Sequence, residues 1–496
     1  MGQWKQNLSG PFAMLDFRPV LFILGVLLST LAGAMVLPAI ADLVSGNKDW
    51  QVFAISAGFT GFMGGLFVFS SARRGKKSIN VRQAFLLTSL AWVIIPAFGA
   101  LPMIFADLNL TYTDAFFEAM SGITTTGSTV IVGLDNVQPG ILLWRALLQW
   151  LGGIGIIGMA IAIMPLLQVG GMQLFRMESS DKSEKIMPRA AQLIAYIGFI
   201  YLSFTGVCAL LYWITGMSGF DAIAHAMTTI ATGGFSTHDL SIGYFEDIRI
   251  EIISIVFMLL GSLPFVLYLK VLRGNLRSLW LDSQVQWFFT IVITAVAALA
   301  IYLWQTTGKD PIAAVTNSAF NVVSVITGTG YSTTDFSAWG PFALASFLFL
   351  MFIGGCAGST TCGIKVFRFQ VLYATALTQI RKLHEPHGVF LSYYNKKPID
   401  ETVESSVMGF FFLYALSFAV LATGLGLMGL DFLTAISGAA TAISNVGPGL
   451  GSTIGPTGTF ITLPDSAKWL LSFGMLIGRL ELFTIFVLLA PSFWRE

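Results

Sequence analysis

Charge is what this chain has least of. Asp, Glu, Lys and Arg make up only 11% of its 496 residues, against about 25% in an ordinary soluble domain. With 55% hydrophobic residues and a mean hydropathy of +0.77, the chain reads as a polytopic membrane protein. Its net charge of +1 provides no basic field for a nucleic-acid partner. The three cysteines, Cys208, Cys356 and Cys362, all lie in apolar or Gly-rich stretches, so no disulfide framework is implied. Four histidines without a clustered His/Cys/carboxylate set argue against a metal enzyme. No phosphate-cradling Gly-rich loop is present, so any nucleotide acts through another chain. Met1 to Phe17 lacks a small-residue cleavage site after the first apolar run, and that run reads as a retained helix.

Runs of about 20 apolar residues cross a bilayer. Two such spans lead the chain, Pro19 to Leu43 and Val52 to Ser71, followed by a basic linker from Arg73 to Arg82. A pattern of long span, half-span, polar strip and long span then recurs four times. It runs 83–106, 112–123, 124–129, 141–166; then 190–215, 220–230, 231–236, 250–272; then 285–304, 312–326, 327–332, 341–373; and finally 405–428, 432–443, 444–449, 467–490. The expected fold is all-α: two leading helices (residues 1–82 with the linker) and four helix–loop–helix repeats, 83–188, 189–284, 285–403 and 404–496, around one axis.

The repeats align without gaps on the glycines Gly127, Gly234, Gly330 and Gly447. Thirteen residues earlier stand Asp114, Asp221, Asn317 and Thr434, read as helix N-caps. Six residues earlier come the hydroxyls Ser121, Thr228, Ser324 and Thr441, and four earlier the isoleucines Ile123, Ile230, Ile326 and Ile443. Internal repeats of this kind mark a transporter's site at their interface.

Of the 27 lysines and arginines, 21 fall on one side of this layout. Lys48, Arg145, Arg249, Lys309 and Lys468 lie on the other, and Arg479 lies within a span. The positive-inside rule makes the first side cytoplasmic, so both termini and the basic loops are expected there. The half-spans enter from the outer face. The basic loops read as orientation signals, and the longest, Lys365 to Glu404, is also long enough to dock a partner.

A half-span of a dozen residues is too short to cross, and irregular backbone at membrane depth needs protein or a water-filled cavity around it. One strip alone reads as a tight turn between helices. Four in register read as a pore lining, with carbonyls replacing an ion's hydration shell and the negative ends of four half-helices favouring a cation.

The final span of the third repeat is interrupted by Gly354-Gly355-Cys356-Ala357-Gly358-Ser359-Thr360-Thr361-Cys362-Gly363. That run is either close packing through small residues or a flexible constriction below the strips, edged by Lys365. Arg479 and Glu481 lie deep in the last span, where ionisable residues are functional candidates. Arg479 either lowers cation occupancy beside the pathway or pairs with an acid such as Glu118. His225, which takes the place of Glu118 in the second repeat, is a packing residue or a proton carrier.

These strips, Thr125-Thr126-Gly127, Thr232-Gly233-Gly234, Gly328-Thr329-Gly330 and Asn445-Val446-Gly447, resemble the four pore loops of the Trk/Ktr superfamily of potassium transporters. Gly355 to Thr360 running into Gly363-Ile364-Lys365 resembles that family's intramembrane gating loop, and Gly478-Arg479-Leu480-Glu481 its last helix, whose arginine lies at the pore. The resemblance covers essentially the whole chain, including the two leading helices typical of the Trk branch. It implies a potassium-conducting pore, one per subunit of a homodimer, in the bacterial cytoplasmic membrane. The strips would bind K+ and the four glycines would line a selectivity filter. The gate would comprise Gly354, Gly355, Gly358, Ser359, Thr360, Thr361, Gly363 and Lys365, with Arg479 and Glu118 as pore charges. A cytoplasmic nucleotide-binding subunit of the Trk-A type would regulate it, and membrane lipid is the remaining partner. In related plant proteins a serine at the first glycine goes with sodium transport, so four glycines favour potassium. Thr361 and Cys362 depart from the family's small gate residues, and Ser128 stands where alanine is usual.

The function expected is potassium uptake through a gated filter, with coupling to protons or sodium left open. A sodium-conducting relative, an intramembrane enzyme using Glu118, His225 or Arg479, and a transport-silent receptor are the alternatives.

Overall fold

The structure, a computed structural model, describes residues 16–71, 79–162, 186–308, 310–395 and 397–495. Most of the basic linker and the loop carrying Arg176, Lys182 and Lys185 lie outside the described residues. Among those described, seven helices are long and apolar enough to cross a membrane, or nine if two bent pairs each count as one span. The chain is an all-helical, multi-pass membrane protein. Among the described residues, one two-stranded ladder pairs Tyr393–Tyr394 with Lys397–Pro398.

The leading helices Arg18–Ala34 and Trp50–Ser71 cross where Gly25 meets Gly64. A Cβ on either would strike the other's carbonyl, the close approach that small residues permit in a bilayer.

Four short helices, Tyr112–Ile123, Gly219–Ile230, Pro311–Ile326 and Phe432–Ser444, occupy the expected half-spans. Their caps correct the sequence reading. The N-caps are Thr111, Ser218, Asp310 and Asp431, whose side chains accept from Asp114 N, Asp221 N, Ile312 N and Thr434 N. Asp114, Asp221 and Thr434 stand one turn further in, and Asn317 lies in the middle of the longer third half-helix. The acid at the third helical position closes a capping box in the first copy, with Thr111 N donating to Asp114 Oδ2 at 3.2 Å. It also faces the positive end of the helix.

Three of the expected second spans are not straight. Residues 250–272 form two helices, Ile248–Ser262 and Phe265–Leu272, bent by 96° at Leu263-Pro264, because proline has no N–H and disfavours helical geometry before it. Residues 467–490 break into Asp465–Arg479 and Phe483–Leu489 at 112°, with Glu481 and Leu482 at positive φ of 59° and 42°. In the third repeat the helix stops at Leu350 and resumes at Val366, the break expected from the glycine run. All three breaks fall at the depth where the half-helices end.

Candidate functional site

Each half-helix ends in the same way. The residue two before the aligned glycine is left-handed: Thr125 at φ 53°, Thr232 at 51°, Gly328 at 67° and Asn445 at 52°. The next residue's N–H then reaches back to the hydroxyl residue's carbonyl. Thr126 N donates to Ser121 O at 2.8 Å, Gly233 N to Thr228 O at 2.9 Å, Thr329 N to Ser324 O at 2.9 Å and Val446 N to Thr441 O at 3.1 Å. These are the bonds of a Schellman C-cap. A left-handed threonine costs about 1–2 kcal/mol, and such strain persists only where the surroundings fix it. The aligned glycines follow, again at positive φ: 91°, 77°, 79° and 111°. Alternating the sign of φ turns successive carbonyls toward one side.

The glycines have no side chain because a neighbouring carbonyl stands there. A Cβ on Gly127 would meet Gly233 O, one on Gly234 would meet Thr329 O, one on Gly330 Val446 O, and one on Gly447 Thr126 O, all closer than 3.0 Å. First strip touches second, second third, third fourth, and fourth first. The ring closes, with the C-terminal ends of four half-helices behind it. Side chains stitch the closing seam. Ser128 Oγ donates to Gly447 O at 2.7 Å, and Asn445 Nδ2 donates to Thr126 Oγ1 at 2.9 Å. Thr126, Gly233, Thr329, Val446 and the four glycines thus meet at one place.

Glu118 does not pair with Arg479, one of the two readings left open for that arginine. Its partner is Arg145, not Arg479: Arg145 Nε donates to Glu118 Oε1 at 2.8 Å, with both side chains fully buried. Glu118 also accepts from Thr129 Oγ1 and from Val130 N at 2.8 Å, while Arg145 donates to Ser236 O and covers the Phe235 ring at 4.1 Å. The pair braces the chain leaving the first and second strips. His225 does the same work in the second copy, its ring nitrogens engaged by Asp221 O and Ser236 Oγ, each at 2.9 Å. That is the packing role of the two left open. Asn321 reaches Thr333 Oγ1 in the third copy, and Ser437 accepts from Leu450 N in the fourth.

The glycine run of the third repeat lies against the strips' other end. Cys362 Sγ is 3.7 Å from Thr125 Oγ1, and Thr232 Oγ1 donates to Thr360 Oγ1 at 3.2 Å. The run is a tied hairpin rather than slack chain. Gly354 N donates to Ile364 O, Cys356 N to Ser262 O, and Thr360 N to Gly261 O. Thr361 Oγ1 is a hub for Gly355 N, Ser359 Oγ and Lys365 Nζ. Arg479, buried, donates to Thr360 O and to Gly152 O, both at 3.3 Å, and contacts Cys362 Sγ. Glu481 forms an ion pair with Arg368 on the helix that follows the hairpin.

A second cluster, near the half-helix N-termini, escaped the sequence reading because its members are far apart in the chain. His238 Nδ1 lies 2.5 Å from Asp135 Oδ1, and its Nε2 is 3.6 Å from Asp221 Oδ1, an ion-pair distance. The ring stacks on Tyr244 at 3.6 Å. Burial lowers the His238 pKa, but the two carboxylates outweigh it and hold it above its usual value.

Residues 51–495 match the TrkH family model, described as a cation transport protein. The chain belongs to the TrkH family. It is similar to the Trk system potassium uptake protein TrkI of Halomonas elongata, 46% identical over 482 residues and covering 97% of each chain. TrkH of Salmonella typhimurium is 39% identical over 491 residues, covering 97% of this chain and all of the relative. The crystal structure of the potassium transporter TrkH from Vibrio parahaemolyticus matches with a TM-score of 0.90 at 38% identity, over 97% of this chain and 100% of that one. Family membership makes this chain a transport protein rather than an enzyme.

Two outcomes follow for this TrkH-family chain. Glu118→Gln or Arg145→Met alone should cost about 3–5 kcal/mol, because each leaves a buried charge unpaired, and an apolar double replacement should cost less than the sum. Unfolding of the detergent-solubilised protein measures this, and additive losses would refute the pairing. For His238, a raised folded pKa means stabilisation present below about pH 6.5 and lost as pH rises through the folded value. The melting temperature of wild type should exceed that of His238→Gln at pH 6, and the gap should close as pH is raised.

Proposed function

We propose that this chain takes up potassium across the bacterial cytoplasmic membrane, with the ring of four strips as its selectivity filter. The observation that carries this reading is the closed circuit of contacts in which each aligned glycine faces the next strip's carbonyl. A dehydrated cation needs hard oxygen ligands around it, and carbonyls from four converging loops supply them without a protein charge. The half-helix C-termini add negative potential at the same point. The named activities of the relatives supply the ion: TrkI and TrkH are potassium uptake proteins.

In this reading Thr125, Thr126, Gly127, Thr232, Gly233, Gly234, Gly328, Thr329, Gly330, Asn445, Val446 and Gly447 line the path and bind K+ through backbone oxygens. Ions enter from the face bearing the half-helix N-termini, and the basic loops lie in the cytoplasm. The hairpin 354–365 is the gate. Its contacts with Thr125 and Thr232 support a position across the filter's inner mouth, where passage requires it to move. Opening breaks the bonds from Arg479 to Thr360 O and those at Thr361, and the Arg368–Glu481 pair links that movement to the cytoplasmic helix Val366–His384. A cytoplasmic nucleotide-binding subunit acts on this helix and the loop after it, and two copies of the chain form a homodimer. Coupling to a proton or sodium gradient is decided by flux with and without that gradient.

Expression in a bacterium deficient in potassium uptake tests the function. The chain should restore growth on low potassium, and absence of rescue despite membrane expression contradicts the proposal. Gly330→Ser places a side chain at φ 79°, against Val446 O and Pro448 Cδ. It should lower the preference for potassium over sodium about tenfold, a cost of ~1.4 kcal/mol. Unaltered ion competition removes Gly330 from the filter.

A further inference from the structure

The ring is four-fold in its backbone but not in what holds it. Gln149 lies on the helix Pro139–Ala162 and is fully buried. Its amide straddles the second strip. Nε2 donates to Gly233 O at 2.5 Å, and Oε1 accepts from Phe235 N at 3.0 Å. The two bonds bracket Gly234, as a neighbouring β-strand would.

The internal repeat shows that this amide is a departure. Gly152, Gly261 and Gly478 take corresponding places on their helices, each facing the isoleucine carbonyl of its own half-helix: Ile123 O, Ile230 O and Ile443 O. Three residues before them stand Gln149, Met258 and Met475. The copies with methionine have an apolar thioether where the first has a hydrogen-bonding amide. Among the described residues, no side-chain N–H reaches the carbonyls of Thr126, Thr329 or Val446.

A carbonyl oxygen has two lone pairs. With one taken by Nε2, the Gly233 carbonyl keeps the other for an ion and loses freedom to swing. A smaller cation gains four short contacts only if the carbonyls move inward, and the tether resists that movement on one side. We propose that Gln149 is a positioning residue of the filter, holding the Gly233 carbonyl at the reach suited to potassium and so disfavouring sodium. This rests on reading the ring as the filter.

The test is ion-competition flux through the full-length protein in liposomes. Gln149→Met reproduces the side chain of the other copies. It should still conduct, but with a potassium-to-sodium preference about tenfold lower, equivalent to ~1.4 kcal/mol. An unchanged preference in a conducting variant overturns the inference. If Gln149→Met is not recovered as a folded protein, Gln149→Leu is measured in its place. Loss of all flux in both folded variants also overturns it, because the residue would then build the ring rather than tune it. Wild type in the same vesicles separates the two readings. A wild type that does not distinguish potassium from sodium defeats the filter itself, whereas a selective wild type with unaltered variants defeats only the role of Gln149.

Discussion

Everything in this molecule depends on backbone carbonyls released from helical hydrogen bonding at membrane depth. In lipid such groups cost several kcal/mol each unless protein or water satisfies them. Here they are produced on purpose, by ending four half-helices midway and turning the following residues through left-handed geometry. The close packing of each aligned glycine against the next carbonyl then leaves no space for a side chain. A strained, polar, glycine-bearing ring can persist only inside a scaffold that encloses it, and the surrounding helices serve that end.

The scaffold spends its few charges accordingly. Glu118 and Arg145 brace the chain just beyond the first two strips, with His225 and Asn321 in the corresponding places of the next two copies and Ser437, one residue earlier in register, in the fourth. Lys468 and Asp114, 2.6 Å apart, join the last repeat's helix to the first half-helix. On the other side of the ring, Arg479, Lys365, Arg368 and Glu481 surround the hairpin. Charges near the half-helix N-termini hold the ring in place, and those near the hairpin act on the part proposed to move.

Much of this was legible in the sequence. The half-helices and the aligned glycines follow from hydropathy and gapless spacing, and the break in the third repeat from its glycines. Three caps were misplaced by one turn and the third copy's, Asn317 for Asp310, by seven residues; Asp114 and Asp221 are as good at the third helical position as at the cap. The spacing of Thr111 to Asp114 and Ser218 to Asp221 carried the signal that separates the two. The bends at Pro264 and at Glu481 were missed because each lies inside a long apolar run that reads as one span, although Pro264 and the charges Arg479 and Glu481 mark them. Which carbonyl faces which glycine, the partnership of Glu118 with Arg145, and the amide of Gln149 are properties of the assembled ring. Residues 84 positions apart in the chain meet there, and nothing local announces them.

Anomalous scattering from crystals soaked in rubidium or thallium, both potassium-like cations, tests the central claim most directly. The account predicts a peak on the axis of the ring, beside the carbonyls of Thr126, Gly233, Thr329 and Val446, that is retained in excess sodium and lost in excess potassium. Peaks confined to other sites, with the ring empty at saturating rubidium or thallium, would contradict it.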